Sequence, residues 1–257
     1  MLALERRKRI TQLINENKSV LVTELSKLFE VTEETIRRDL ERLEKQGILV
    51  RTHGGATISD GYAPEIPVDQ RKVINHEGKN SIGLMAASLI NDGETIFLDA
   101  STSSLYLAKH IKGKKRITVI TNSTAIINEL CQCEDIDLIS IGGILRKNNM
   151  SYVGRVAENN IKNSYYANKC FFSCRGATIN RGLTDFNEQE AEIKKTMLSR
   201  SDVAVFLCDH SKFGRIGVPL VASLEEIDFF ITDMELDTEW VEELDKKDVE
   251  LIVTDKI

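Results

Sequence analysis

The sequence predicts a chain of two parts: a small helical domain closed by a β-hairpin over residues 1–57, and a larger, mainly parallel α/β domain over 75–257. Three observations predict this. Apolar residues recur at helical spacing through about residue 45. The period then changes at Ile48–Ile58, where two short apolar runs flank Gly54-Gly55. From about residue 75, continuous apolar runs alternate with helical patterns, as parallel strands covered on both faces require.

Element by element, the first helix places Ile10, Leu13 and Ile14 on one face, behind the basic run Arg6 to Arg9. The second repeats Val22, Leu25 and Phe29, and the third Ile36, Leu40 and Leu43, with no strand expected among the three. Thr32 is placed to cap the third helix and Gly47 to end it. Ser59 to Pro67 holds two of the chain's three prolines, so residues 58–74 read as a linker. A helix follows over roughly 75–91. The strands expected beyond it begin at Thr95, Ile117, Asp137, Cys170, Val203, Phe229 and Val249.

Composition narrows the function classes. The net charge of −6 argues against a nucleic-acid partner until the chain is divided. Residues 1–57 carry 11 Lys and Arg against 9 Asp and Glu, and the remainder 23 against 31. Attraction for phosphates is thus confined to one end. The five cysteines lack paired spacing and read as reduced thiols, so neither a disulfide framework nor a metal site is expected. No apolar run is long enough to span a membrane and the N-terminus lacks a signal-peptide pattern, which predicts a cytoplasmic protein with no membrane partner.

The second helix, the turn Glu30-Val-Thr32 and the third helix have helix-turn-helix spacing, and the hairpin adds a wing. A helix in the major groove reads bases with its N-terminal residues, while nearby basic side chains hold phosphates. Thr32, Thr35, Arg37 and Arg38 have that chemistry and position, since Arg binds guanine or phosphate in bidentate fashion. Arg51 and His53 on the hairpin are candidates for backbone or minor-groove contact. Taken alone, Arg37-Arg38 also reads as the solvated face of a helix that carries Glu33, Glu34, Asp39 and Glu41, and His53 as an inert turn residue.

Val31-Thr-Glu-Glu-Thr-Ile-Arg-Arg-Asp-Leu-Glu-Arg-Leu-Glu, followed by Gly47-Ile-Leu-Val-Arg-Thr-His-Gly-Gly-Ala, resembles the signature of DeoR-type bacterial regulators. That resemblance implies double-stranded operator DNA as a partner.

In the larger domain, Asp99, Ser101, Thr102, Ser103 and Ser104 follow the first strand, and a helix is expected from Leu105. A hydroxyl-rich loop at a helix N-terminus offers N–H donors, hydroxyls and the positive end of the helix dipole to a phosphate. Thr121, Asn122 and Ser123 end the next strand, and ligands of open α/β sheets collect at such ends. Either loop alone also reads as ordinary helix capping. Further polar groups at strand ends are Gly142 and Gly143 with Arg146, then Arg175, then Asp209 with Lys212. Lys212 or Arg175 suits a phosphate, and Asp99 and Asp209 suit sugar hydroxyls. No Gly-x-Gly-x-x-Gly or Walker sequence is present, and no cofactor is expected.

Ile96-Phe-Leu-Asp-Ala-Ser-Thr-Ser, Gly182-Leu-Thr-Asp-Phe-Asn-Glu-Gln-Glu-Ala-Glu and Asp209-His-Ser-Lys-Phe-Gly resemble DeoR-type sensor domains, which share the fold of ribose-5-phosphate isomerases. The resemblance implies that Ser101 to Ser104 hold a phosphate and that Lys212 contacts the ligand. Ala100 stands where many relatives have Ser, and Ser173-Cys-Arg replaces a more usual Gly-containing stretch, which makes Arg175 a candidate for selectivity. The expectation is a homodimeric or homotetrameric regulator of sugar-metabolism genes, usually a repressor, whose operator affinity answers to a phosphorylated sugar. The rival is a sugar-phosphate isomerase using Glu188, Glu190 or Glu192 as base. Against it, Glu190 and Lys194 at i,i+4 also read as an exposed charge pair.

Overall fold

The structure is a computed structural model that describes residues 3–17, 19–45, 49–58 and 65–254. It divides into two compact units, Met1–Ile66 and Pro67–Ile257.

The first unit comprises α1 (Ala3–Asn17), β1 (Ser19–Leu21), α2 (Val22–Leu28), α3 (Glu33–Lys45), β2 (Leu49–Thr52) and β3 (Gly55–Ile58). Ile10 and Ile14 of α1, Leu25 of α2, and Ile36, Leu40 and Leu43 of α3 are buried in one cluster, which also takes in Phe29, Leu49 and Ala56. The spacing of these residues is what makes the helices, since each helix must bury one stripe. Between α2 and α3, Glu30 takes a left-handed φ of 53°, and Thr32 Oγ1 accepts the Thr35 N–H at 3.3 Å. The cap expected at Thr32 is therefore formed, whereas Gly47 lies outside the described residues.

One expectation and part of one alternative reading fail here. A strand does lie among the helices: β1 pairs antiparallel with β3, giving the order β1-β3-β2. Three residues with only Val20 turned inward are too short to show a period of two. A Cβ on Gly55 would stand 2.0 Å from the Val20 carbonyl oxygen, so the close approach of these strands depends on glycine. Secondly, Asp39 is not on the exposed acidic face. It is buried, accepts Arg6 Nε at 2.6 Å and Arg7 Nη1 at 3.3 Å, and so fastens α3 to α1. Part of the N-terminal basic run is thereby used inside the unit.

The second unit opens with α4 (Val68–Val73) and α5 (His76–Ser88); α4 falls within the 58–74 segment. Then come β4 (Thr95–Leu98), α6 (Thr102–His110), β5 (Ile117–Thr121), α7 (Thr124–Leu130), β6 (Ile136–Ser140) and the hairpin β7 (Ile144–Arg146) and β8 (Ser151–Val153). They are followed by α8 (Arg155–Ser164), β9 (Ala167–Phe172), β10 (Gly176–Thr178), β11 (Gly182–Thr184), α9 (Glu188–Leu198) and β12 (Ser201–Cys208). The chain closes with β13 (Leu220–Ala222), β14 (Phe229–Thr232), α10 (Thr238–Lys246) and β15 (Glu250–Val253).

Seven strands form the main sheet in the order β15-β14-β12-β9-β4-β5-β6, every neighbouring pair parallel. Successive side chains point to opposite faces. Phe97, Phe172, Phe206 and Phe230 enter one buried cluster with Ile161 of α8, Met197 of α9 and Leu244 of α10. Leu98, Phe171, Val205 and Ile231 enter the other with Ile82 of α5, Leu107 of α6 and Ile126 of α7. Two covered faces explain why the strands read as unbroken apolar runs. The chain leaves β4 for β5 and β6 on one side, then returns to β9 on the other. The β4/β9 boundary is a topological switch point, where the loops after the two strands diverge and open a crevice.

If the Asp39 ion pair holds α3 in place, Asp39→Ala should lower the unfolding free energy of the first unit by about 3 kcal/mol, because two guanidinium groups lose their partner. Arg37→Ala, at a half-exposed side chain, should change it by less than about 0.5 kcal/mol. Urea unfolding followed by circular dichroism checks both.

Candidate functional site

In the first unit the predicted contact residues gather at the start of α3. Thr32 and Thr35 hydroxyls lie 2.9 Å apart. Arg37 pairs with Glu33 and Arg38 with Glu34, each at 3.1 Å and one helical turn away. Arg38 is 73% exposed, and such i,i+4 surface pairs are worth only a few tenths of a kcal/mol, so a phosphate or guanine can displace the glutamate. Arg51 is differently placed. Its backbone N–H and its Nε both donate to Glu44 near the end of α3, at 2.9 and 2.7 Å. His53 is exposed in the turn between β2 and β3.

In the second unit the sheet brings the polar strand ends together. The helix expected from Leu105 begins three residues earlier, because Ser101 Oγ accepts the Ser104 N–H and caps α6. Thr102, Ser103 and Ser104 therefore form its buried first turn. Asp99 is fully enclosed. Its Oδ1 accepts the Ser101 N–H and Ser104 Oγ–H, and its Oδ2 accepts the Ser173 N–H at 3.3 Å and lies 3.4 Å from Lys194 Nζ. With both oxygens engaged, Asp99 shapes the turn. Ser103 Oγ is buried with no hydrogen-bond partner among the described residues.

Thr121 and Ser123 are similarly engaged: Thr121 Oγ1 donates to the Leu98 carbonyl at 2.7 Å, and Ser123 caps α7. Asn122 donates to the Tyr152 carbonyl, and its Oδ1 has no hydrogen-bond partner among the described residues. Gly142 and Gly143, at φ 64° and 117°, turn the chain into β7, and Gly143 packs on Val153 and Ala157. No described contact joins either glycine to the charged cluster, whereas Arg146 is drawn in by Glu190 at 2.9 Å.

Around β12 and β14 lie several groups with shifted pKa values. Burial pushes the Asp209 carboxyl up, but Lys212 and Lys79, with hydrogen bonds from Ser211 and Asn75, outweigh it and bring its pKa down to about 2. Burial lowers Lys79 to about 8; Asp209 and Asp233 oppose that shift, while Lys212 and Arg71 add to it. Burial also lowers Lys212, with Asp209 opposing and Arg71 and Arg215 adding. Arg175, stacked 4.1 Å above the Phe186 ring, is brought down to about 10 by burial and by Arg215, with Asp185 opposing. Arg71, Lys79, Arg146, Arg175, Lys194, Lys212 and Arg215 thus face Asp99, Asp185, Glu190, Asp209 and Asp233. The cations outnumber the carboxylates, and several are held at reduced pKa by burial first and by neighbouring cations second. Such a cluster favours an anion.

Residues 6–61 match the DeoR-like helix-turn-helix domain family, and residues 74–234 the DeoR C-terminal sensor domain family. The chain belongs to the DeoR family. Three relatives align over nearly its full length. The HTH-type transcriptional regulator YulB of Bacillus subtilis strain 168 is 42% identical over 251 residues, covering 98% of this chain and 96% of that protein. The regulator GolR of Listeria innocua is 38% identical over 233 residues, 91% of each. The transcriptional repressor GlcR of B. subtilis is 33% identical over 252 residues, covering 98% and 96%. This DeoR-family member is accordingly a DNA-binding transcriptional regulator and not an enzyme. Among solved structures, ribose 5-phosphate isomerase A of Methanocaldococcus jannaschii overlaps with a TM-score of 0.40 at 16% identity, covering 54% of this chain and 55% of that one. That likeness is too loose to transfer any chemistry.

Among the described residues no helix is long and apolar enough to cross a membrane.

Several residues of the candidate site were not legible in the sequence. Glu190 and Lys194 are not an exposed i,i+4 pair: both are buried, and Lys194 binds Asp185 and Asp99 instead. Burial opposes the charge of Lys194, but the two aspartates outweigh it and hold its pKa above the ordinary lysine value. Lys79, Asn75, Asp185 and Arg215 were also missed. Asp185 and Glu190 lie within the Gly182 segment that carried the family resemblance, which is the one signal that pointed to them. Lys79 sits near the start of α5, in line with the buried Ile82, Gly83 and Ala86, and only the fold reveals what it meets.

Lys194→Met should destabilise the second unit by about 3–5 kcal/mol, since it leaves Asp99 and Asp185 buried without their cation. Lys195→Ala, at the exposed neighbour, should be near neutral. Urea denaturation of the two variants measures the difference.

Proposed function

We propose that this regulator is a repressor of sugar-metabolism genes whose operator affinity is set by a phosphorylated sugar bound at the strand ends of its second unit. The observation that carries the reading is the cation-rich cluster beside the capped N-terminus of α6. In the reading, the helix dipole and the first-turn N–H groups meet the phosphate, with Ser103 Oγ beside them. Lys212 neutralises part of its charge, and Arg175 sets selectivity from the loop after β9. In the first unit, Thr32, Thr35, Arg37 and Arg38 contact the operator from α3, while Arg51 and His53 contact it from the hairpin. Operators with paired half-sites require at least a dimer, so the regulator acts as a homodimer or homotetramer. The effector acts by binding more tightly to one of two conformations, and the same free energy links it to the DNA.

Fluorescence anisotropy on DNA from the protein's own promoter, at fixed salt, tests the reading. One phosphosugar, and not its unphosphorylated parent, should shift operator affinity. Arg38→Ala should weaken operator binding with the effector response intact, and Lys212→Ala should lose the response with operator binding intact. A Lys212→Ala protein that responds at wild-type concentrations contradicts the ligand site.

The reading also has a pH signature. Below about pH 8 Lys79 is already charged, and it adds no pH dependence to anion binding. Above it, a bound phosphate restores the charge, so each complex must take up a proton. Affinity should therefore fall as pH rises through about 8, by up to about tenfold per unit, with proton uptake visible by calorimetry in two buffers. Lys79→Met should flatten this part of the profile.

A further inference from the structure

We propose that Glu190 reads a hydroxyl of the bound sugar and so decides which phosphosugar the regulator answers to; the inference rests on the effector reading above. Glu190 lies on the buried face of α9 and is 3% exposed. Three donors converge on one of its oxygens. Arg146 Nη1 reaches Oε1 at 2.9 Å, Asn149 Nδ2 at 3.0 Å, and Ser151 Oγ at hydrogen-bond distance. These come from the β7–β8 hairpin and its turn, so the carboxylate is fixed in one orientation. Its other oxygen, Oε2, is buried with no hydrogen-bond partner among the described residues. A buried carboxylate oxygen without a donor is costly, and natural structures seldom leave one so.

The position of this oxygen decides what the donor is. Glu190 stands one turn along α9 from Lys194, and residues so spaced are neighbours on the helix surface. Lys194 reaches Asp99, whose Oδ1 shapes the turn that presents Ser103 at the start of α6. An anion-binding helix end and an acceptor-only oxygen therefore flank the same region. A phosphate is repelled by Oε2, whereas an O–H group near the phosphate in the same ligand satisfies it. Asp209 Oδ2, likewise buried and without a hydrogen-bond partner among the described residues, offers a second acceptor of that kind. The chemistry selected is a polyhydroxylated monophosphate, in which a phosphate and hydroxyl donors are engaged together.

The sign of one substitution separates this role from a purely electrostatic one. Glu190→Gln keeps an acceptor for Arg146, Asn149 and Ser151 but removes a negative charge beside the anion site. Electrostatics alone must tighten the binding of every phosphate. A lost hydroxyl-to-carboxylate bond must weaken phosphosugars selectively, by about 10- to 100-fold.

The test is calorimetric titration of the full chain and of Glu190→Gln with ribose 5-phosphate, glucose 6-phosphate and fructose 1-phosphate, with inorganic phosphate as the headgroup control. The expected result is a phosphosugar that binds the variant at least tenfold more weakly, while inorganic phosphate binds equally or more tightly. Phosphate binding by the variant shows that its site is folded. Equal changes for phosphosugar and phosphate, or no change for either, overturn the role of Glu190 and leave the effector reading standing. Should the variant not fold, the wild-type chain decides with 2-deoxyribose 5-phosphate and 2-deoxyglucose 6-phosphate beside their parents. A tenfold loss on removing a hydroxyl supports hydroxyl reading, and equal affinity overturns it. If wild type binds none of the phosphosugars, the effector reading itself falls, and this inference with it.

Discussion

Lys194, buried between Asp99 and Asp185, is the interaction on which the second unit's site depends. It ties the loop after β4 to the segment after β11, and thereby connects two strand ends that the chain order keeps far apart. A buried lysine is costly unless paired and hydrogen-bonded, and here it faces two carboxylates. The pairing leaves Asp99 free to order the Ser101–Ser104 turn, so α6 starts at Thr102 and points its N-terminus at the switch point. The remaining cations, set by loops after β9 and β12 and by the α4–α5 corner, face fewer carboxylates because Lys194 engages Asp99 and Asp185 and offsets one of their two negative charges. In the proposed reading, structure and binding draw on different members of one charged cluster.

The first unit uses charge in the same divided way. Arg6 and Arg7 are used up on Asp39 inside the unit, which fastens α1 to α3. Arg37 and Arg38 are held only by weak surface pairs. In the proposed docking, a small net positive charge serves DNA binding because these two, not the whole basic run, present it from the helix placed in the groove.

Much of this was legible in the sequence. The parallel sheet followed from runs such as Val203 to Leu207 and Phe229 to Thr232, which need cover on both faces. The helix-turn-helix followed from apolar spacing and the Thr32 cap. What was not legible depended on contacts distant in sequence. Asp39 looked solvated because it stands in a helix dense in charged residues, and its partners lie more than thirty residues away. Glu190 and Lys194 satisfied a local pairing rule, so their separate burial against the β7–β8 hairpin and against Asp99 was hidden. The strand β1 was too short to declare itself. Among the expected ligand groups, the loop serines lie at the start of α6 and Lys212 acts electrostatically on Asp209. Asp99, Thr121 and Ser123 have side-chain oxygens engaged within the protein, and Gly142 and Gly143 turn the chain into β7. Local pattern shows where a polar loop is; only the tertiary hydrogen bonds show which of its groups remain available.

The most direct test of the account is a crystal structure of the full chain with a bound phosphosugar. The account predicts the phosphate at the N-terminus of α6, within hydrogen-bond reach of the first-turn N–H groups and Ser103 Oγ, with Lys212 on its far side. A phosphate bound elsewhere, with the Lys194, Asp99 and Asp185 cluster unchanged and the α6 terminus facing only solvent, would contradict it.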